Sequence, residues 1–167
     1  MCNALDRGQV GRVMPSLLHR LERAAACDAA VTFVVGGGED VVKWRDLHEQ
    51  AQGYAAALQA RGVRPGDHVA LLSPTTRELV TAIQATWLAE AAIVVLPLPM
   101  RLSSIEEFVG QTRQRIRSAD ARLCVADPEL AAFVTPEPGD PPMVDLADLA
   151  TSDPGAWVRP TDDADRL

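Results

Sequence analysis

The stretch 68-HVALLSPTTRELVTAIQATWLAEAAIVVLPL-98 sets two apolar runs on either side of a segment with helical spacing. "HVALLS" (68–73) and "AIVVLPL" (92–98) read as strands buried on both faces, because neither alternates apolar with polar residues. Between them "TTRELVTAIQATWLAEA" (75–91) reads as a helix with Leu79, Val80, Ile83, Trp87 and Leu88 turned inward. Strand, helix and strand of this kind form a parallel βαβ unit. The fold class is therefore α/β, a parallel sheet covered by helices on both faces.

The alternation continues downstream. "SSIEEFVGQTRQRIRSAD" (103–120) is expected as a helix opened by a capping box of Ser103 with Glu106. "RLCVAD" (122–127) reads as a third strand, "PELAAF" (128–133) as a helical turn and "PMVDL" (142–146) as a weak strand. From Thr135 the chain becomes proline-rich and acidic, and "TSDPGAWVRPTDDADRL" (151–167) has no apolar periodicity. The expected organisation is an α/β subdomain over 1–134, then a connector over 135–167 leading elsewhere. Trp157 has no assigned place in it.

Upstream, "MPSLLHRLERAAA" (14–26) places Met14, Leu17, Leu18, Leu21 and Ala25 at helical spacing, so an amphipathic helix opens the fold. "VTFVVGGGEDVVKW" (31–44) then poses a choice between a phosphate loop and a tight turn. A phosphate loop runs from a strand through glycines into a helix N-terminus, whose free N–H groups face the anion. Here the glycines lead into "DVVKW", a second extended segment, so the stretch is expected as a β-hairpin. From Arg45 a long helix follows, with Leu47, Ala51, Tyr54, Ala55 and Leu58 on one side, Asp46 in its first turn and Gly62 as a left-handed cap.

At 167 residues the chain suits one domain, and 47% hydrophobic with 23% charged residues suits a soluble globular one. A net charge of −7, with Lys43 the only lysine, argues against a nucleic-acid binder, which needs a basic face. "AAIVVLPLP" (91–99) is too short and proline-rich to span a membrane, and the opening residues are too polar for a secretory signal. Cys2, Cys27 and Cys124 are scattered, with no CxxC pair, so neither a disulfide framework nor a thiolate zinc site is indicated. The expected compartment is the cytoplasm, and Cys124 is expected as a small core residue.

Candidates for chemistry are few. No GxSxG, HExxH, GxGxxG or GxxxxGK[ST] pattern occurs. His19, His48 and His68 sit in different elements and are expected at surfaces or helix ends. Glu106 and Glu107 are adjacent, so they do not face one another as an acid/base pair would. Arg113, Arg115 and Arg117 could meet an anionic partner, although a solvated helix face is the commoner meaning of such a run. Trp44 and Trp87 read as core or half-buried anchors.

Residues 44–98 carry a fuller pattern. An aromatic before a helix (Trp44 to Leu47), "GVRPGDHVA" (62–70) and a helix running into "AEAAIVVLPLP" (89–99) follow in order. In order and spacing this resembles the opening of the adenylate-forming enzymes: acyl-CoA synthetases, fatty acyl-AMP ligases and peptide-synthetase adenylation domains. Glu90 stands where the family usually has glycine at a helix end. Losing a left-handed glycine there would cost on the order of 1 kcal/mol, or mark a different helix ending.

The "PLPMR" opening and the long following helix, roughly one turn (about 3.6 residues) longer than in ordinary acyl-CoA synthetases, are most similar to the fatty acyl-AMP ligases. The resemblance implies the partial N-terminal subdomain of such an enzyme. The intact enzyme would use ATP and Mg²⁺ to activate a fatty acid and pass it to a carrier-protein or CoA thiol. Its phosphate loop, adenine and ribose motifs and catalytic lysine match no position here. No catalytic, cofactor-binding or metal-binding residue is therefore assigned, and ATP and Mg²⁺ are not expected to bind this chain by itself. The alternatives are a stand-alone, non-catalytic α/β binding or docking module and a piece of an amino-acid adenylation domain.

Overall fold

The computed structural model describes residues 15–99 and 104–161. Its organising element is β3 (His68–Leu72), one of two inner strands of a four-stranded parallel sheet. β3 pairs on one side with β4 (Ala92–Val95), Val69 opposite Ile93, and on the other with β5 (Ala121–Ala126), Ala70 opposite Cys124. β6 (Met143–Asp145) completes the order β4-β3-β5-β6. Side chains alternate across β3. Val69 and Leu71 join one core with Leu123 and Val125, whereas Ala70 and Leu72 join a second with Cys124 and Ala126. Apolar residues thus occupy both faces, as the unbroken run requires.

The first core is covered by α1 (Leu17–Ala25), α2 (Trp44–Ala60) and α3 (Arg77–Leu88), and the second by α4 (Ile105–Ser118) and α5 (Pro128–Ala131). The triple glycine is a hairpin. β1 (Ala30–Val35) and β2 (Gly38–Lys43) pair antiparallel with Val35 opposite Gly38. Gly36 and Gly37 turn between them at φ +59° and +84°, the mirror-image turn that matches strand twist. No helix N-terminus follows the glycines, so they are not a phosphate cradle. Met14 and Ser103 lie outside the described residues.

Both ends of the first βαβ unit are set by left-handed residues. α2 ends in a Schellman motif, with Val63 N–H on the Leu58 carbonyl, Gly62 N–H on that of Gln59, and Gly62 at φ +89°. In Arg64-Pro65-Gly66-Asp67, the Asp67 N–H closes onto the Arg64 carbonyl at 3.0 Å and its carboxylate accepts from Arg64 N–H at 2.8 Å. α3 ends in the same motif as α2, Ala91 N–H on Thr86 and Glu90 N–H on Trp87. Here the left-handed position is held by Glu90, at φ +52° and 3% exposed. Its carbonyl accepts from Gly66 N–H at 2.8 Å, locking the two turns together. The helix ending is thus unchanged, and the Cβ is accommodated at a conformational cost.

Three expectations are corrected. The buried face of α3 is Leu79, Thr81, Ala82, Gln84, Ala85, Thr86 and Leu88, while Val80, Ile83 and Trp87 are half-exposed. α3 packs closely along α2, whose own buried face is rich in alanine, so small residues fill the contact between the two helices. Thr81 and Thr86 satisfy their hydroxyls on the carbonyls four residues back. β4, expected to be buried on both faces, is an edge strand with Val95 52% exposed. The cap of α4 is Ser104, whose Oγ accepts from Glu107 N–H at 3.1 Å, one residue beyond the expected box.

The stretch expected as a connector folds back onto these layers. β6 joins the sheet, and α6 (Leu146–Leu149) buries Leu146 and Leu149 in the first core. A 3₁₀ turn (Pro154–Ala156) then crosses α2. Replacing Glu90 with glycine removes the left-handed strain. Glu90→Gly is expected to stabilise the protein by about 1 kcal/mol, raising its Tm by about 2–4 °C in a calorimetric scan.

Candidate functional site

The residues singled out from sequence are not gathered into one site. His19 and His68 are exposed, one on α1 and one opening β3. His48 departs from expectation. It is 8% exposed, on the inward side of α2, and its Nδ1 accepts from Gln84 Nε2 of α3 at 3.1 Å. Burial lowers its pKa, outweighing the charge of Glu22 that would raise it. A neutral imidazole bridging two helices is therefore a packing group. Its sequence signal was its place between Leu47 and Ala51, both fully buried.

Glu106 and Glu107 are exposed in the first turn of α4, and Glu107 Oε1 accepts from Gln111 Nε2 at 3.0 Å. They form no acid/base pair. The arginine run is neither a free anion site nor a wholly solvated face. Arg113 and Arg117, four residues apart and on one face of α4, grip the acidic loop 135–140, while Arg115 donates to Gln111 on its own helix. Asp140 lies between the two guanidiniums, Oδ2 at 3.1 Å from Arg113 Nε and Oδ1 at 2.8 Å from Arg117 Nε. Glu137 adds a 2.9 Å contact to Arg113, and Arg113 donates to the Thr135 carbonyl at 2.8 Å. Burial by itself would raise the Asp140 carboxyl. The Glu137 N–H and the two guanidiniums outweigh it and hold the pKa below its ordinary value. The acidic partners lie more than 20 residues away in sequence, so charge pattern on the helix could not reveal them.

The Cys124 thiol, buried in the second core and near the charge of Asp140, is pushed up to about 12 and is no nucleophile. Cys27 donates its thiol to the Arg23 carbonyl at 3.3 Å, and Cys2 lies outside the described residues. Trp44 and Trp87 are half-buried.

The crevice where an open parallel sheet usually binds ligands lies at the carboxyl ends of β3 and β5, between helices on opposite faces. Here Ser73 donates to the Pro74 carbonyl at 3.1 Å, and Asp127 accepts from Glu129 N–H at 2.9 Å to cap α5. Both polar groups serve the turns they sit in. Among the described residues no three His, Cys, Asp or Glu are placed to hold a metal ion, and no helix is long and apolar enough to cross a membrane.

Two outcomes follow from this chemistry. Asp140→Asn leaves two guanidiniums facing a neutral amide and is expected to destabilise by about 1–3 kcal/mol in urea unfolding, against less than about 0.5 for Arg115→Ala. Because the fold lowers its pKa, the Asp140 contribution is complete above the ordinary 3.8 and fades as pH falls through the folded value. His48 has the opposite charge type. With its folded pKa below 6.5, the unfolded chain binds the proton first, so stability falls as pH drops from 6.5 toward the folded value. His48→Gln should flatten that part of a urea-midpoint profile against pH.

Comparison with known proteins places this architecture. The family model described as AMP-binding enzyme matches residues 21–163. A protein named as a ligase from Mycobacterium tuberculosis is 30% identical over 112 residues, 66% of this chain and 21% of the relative. A substituted propanoyl:CoA ligase from Rhodococcus jostii is 37% identical over 92 residues, 55% of this chain and 17% of the relative. Among solved structures, a fatty acyl-adenylate ligase from work on the E. coli and L. pneumophila enzymes superposes with TM-score 0.77 at 23% identity, covering 90% of this chain and 28% of that one. The chain spans about a fifth of the length of the two curated relatives. Its parallel sheet, flanking helices and hairpin have the fold of the N-terminal subdomain of the adenylate-forming ligases, and the chain belongs to the AMP-binding enzyme family.

Proposed function

We propose that this chain is the N-terminal part of an ATP-dependent, fatty-acid-activating enzyme of the fatty acyl-AMP ligase kind. Such an enzyme joins a fatty acid carboxylate to the α-phosphate of ATP, releases pyrophosphate and passes the acyl group to the thiol of a carrier protein or CoA. The observation that carries the reading is the family match over residues 21–163, with ligases among the relatives. The choice of the fatty acyl-AMP branch rests on the "PLPMR" opening at 97–101 and on α4, fourteen residues long.

The described residues do not fit ATP or Mg²⁺. The triple glycine joins two strands instead of leading to a helix N-terminus, and no carboxylate cluster is arranged for a cation. No chemical step is assigned to them, and their role is that of scaffold. The outer edge of β4, unpaired among the described residues, with Val95, Leu98 and Ile105 exposed on and after it, suits a surface that further protein covers.

Fatty-acid-dependent ATP–pyrophosphate exchange is the direct test. The 167-residue chain by itself is expected to give none, and an enzyme extended to the length of its relatives is expected to exchange with fatty acids and not with amino acids. Exchange by the short chain would refute the scaffold role. Amino-acid dependence in the long one would move the assignment to peptide-synthetase adenylation domains.

A further inference from the structure

From the geometry of residues 152–160 we propose that this segment is a clasp that keeps the first helix ordered, coupling α1 to the far end of the described chain. α1 has nine residues and one fully buried side chain, Leu18, with Leu17 and Leu21 half-buried. A helix this short is marginal by itself and depends on tertiary anchors. The clasp supplies one from 137 residues away: Arg159 holds Glu22 of α1 through two contacts, Nε to Oε1 at 2.8 Å and the second guanidinium nitrogen to Oε2 at 3.3 Å.

The segment is seated by three further tethers, each to a different feature. Gln59 of α2 pairs with the Val158 backbone as a neighbouring strand would, donating to its carbonyl at 2.7 Å and accepting from its N–H at 3.0 Å. Trp157 donates its indole N–H to the Leu88 carbonyl at 3.2 Å, satisfying a group in the last turn of α3 that has no helical partner. The indole also packs against the first core. At Gly53 of α2 the clasp comes so close that a Cβ there would lie 2.8 Å from the Ser152 carbonyl oxygen. Only glycine admits that approach. Three helices are thus joined through one strand of irregular backbone, and the folded unit extends to Pro160.

Hydrogen exchange read by mass spectrometry on the full chain tests the coupling. Arg159→Glu removes one exposed tether and should speed exchange of the 17–25 peptide about two- to fivefold, leaving the β3 and β5 peptides unchanged. Adding Glu22→Arg should restore the slower rate. Gly53→Val should push the clasp off α2 and speed exchange of the 152–160 and 17–25 peptides together by at least about tenfold. Unaltered α1 exchange in Arg159→Glu overturns the proposal. So does a released clasp with α1 still protected in Gly53→Val.

Discussion

β3 is buried on both faces, and its neighbours are arranged by that fact. Val69, Ala70, Leu71 and Leu72 are each no more than 1% exposed, so the strand needs a helical layer above and below and a paired strand on either side. Truncating one leucine in such a position typically costs about 2–5 kcal/mol. Right-handed crossovers then send α3 to one face and α4 to the other, producing the order β4-β3-β5-β6 and two separate cores. Close helix packing on the first face requires alanine where α2 meets α3. Val80 and Trp87 lie half-exposed beside it, and Ile83, also half-exposed, still packs against the first core.

Polar interactions refine this arrangement. Two arginines of α4 pin the loop 135–140 over the second core, and the His48–Gln84 pair bridges the helices over the first. Each occupies residue types that elsewhere serve catalysis or anion binding. Their partners here are internal, and their protonation is shifted by burial and neighbouring charge toward the state that packs best. A perturbed group is a candidate for function only when it opens on a cleft with other groups that could share the work. None of these does.

That distinction bears on a chain of the AMP-binding enzyme family. The sheet provides a platform edged by β4 and β6, and its carboxyl-end polar residues are spent on turns and caps. The described residues of the platform are read through packing and turn geometry.

The sequence by itself determined the elements whose information is local. Unbroken apolar runs marked the parallel strands, the strand–glycine–strand order marked the hairpin, and Pro65-Gly66-Asp67 marked its turn, because each depends on neighbours a few residues apart. The departure at Glu90 was visible too, although only the backbone shows that a glutamate adopts the glycine conformation. Tertiary structure decided everything that depends on distant partners. The buried face of α3 is set by α2, the edge position of β4 by the order of strands, and the fate of Arg113 and Arg117 by an acidic loop more than 20 residues on. The place of Trp157 belongs to the same class, since its partner is a carbonyl 69 residues back. Periodicity reports which residues share a face, and only the packed chain reports what that face meets.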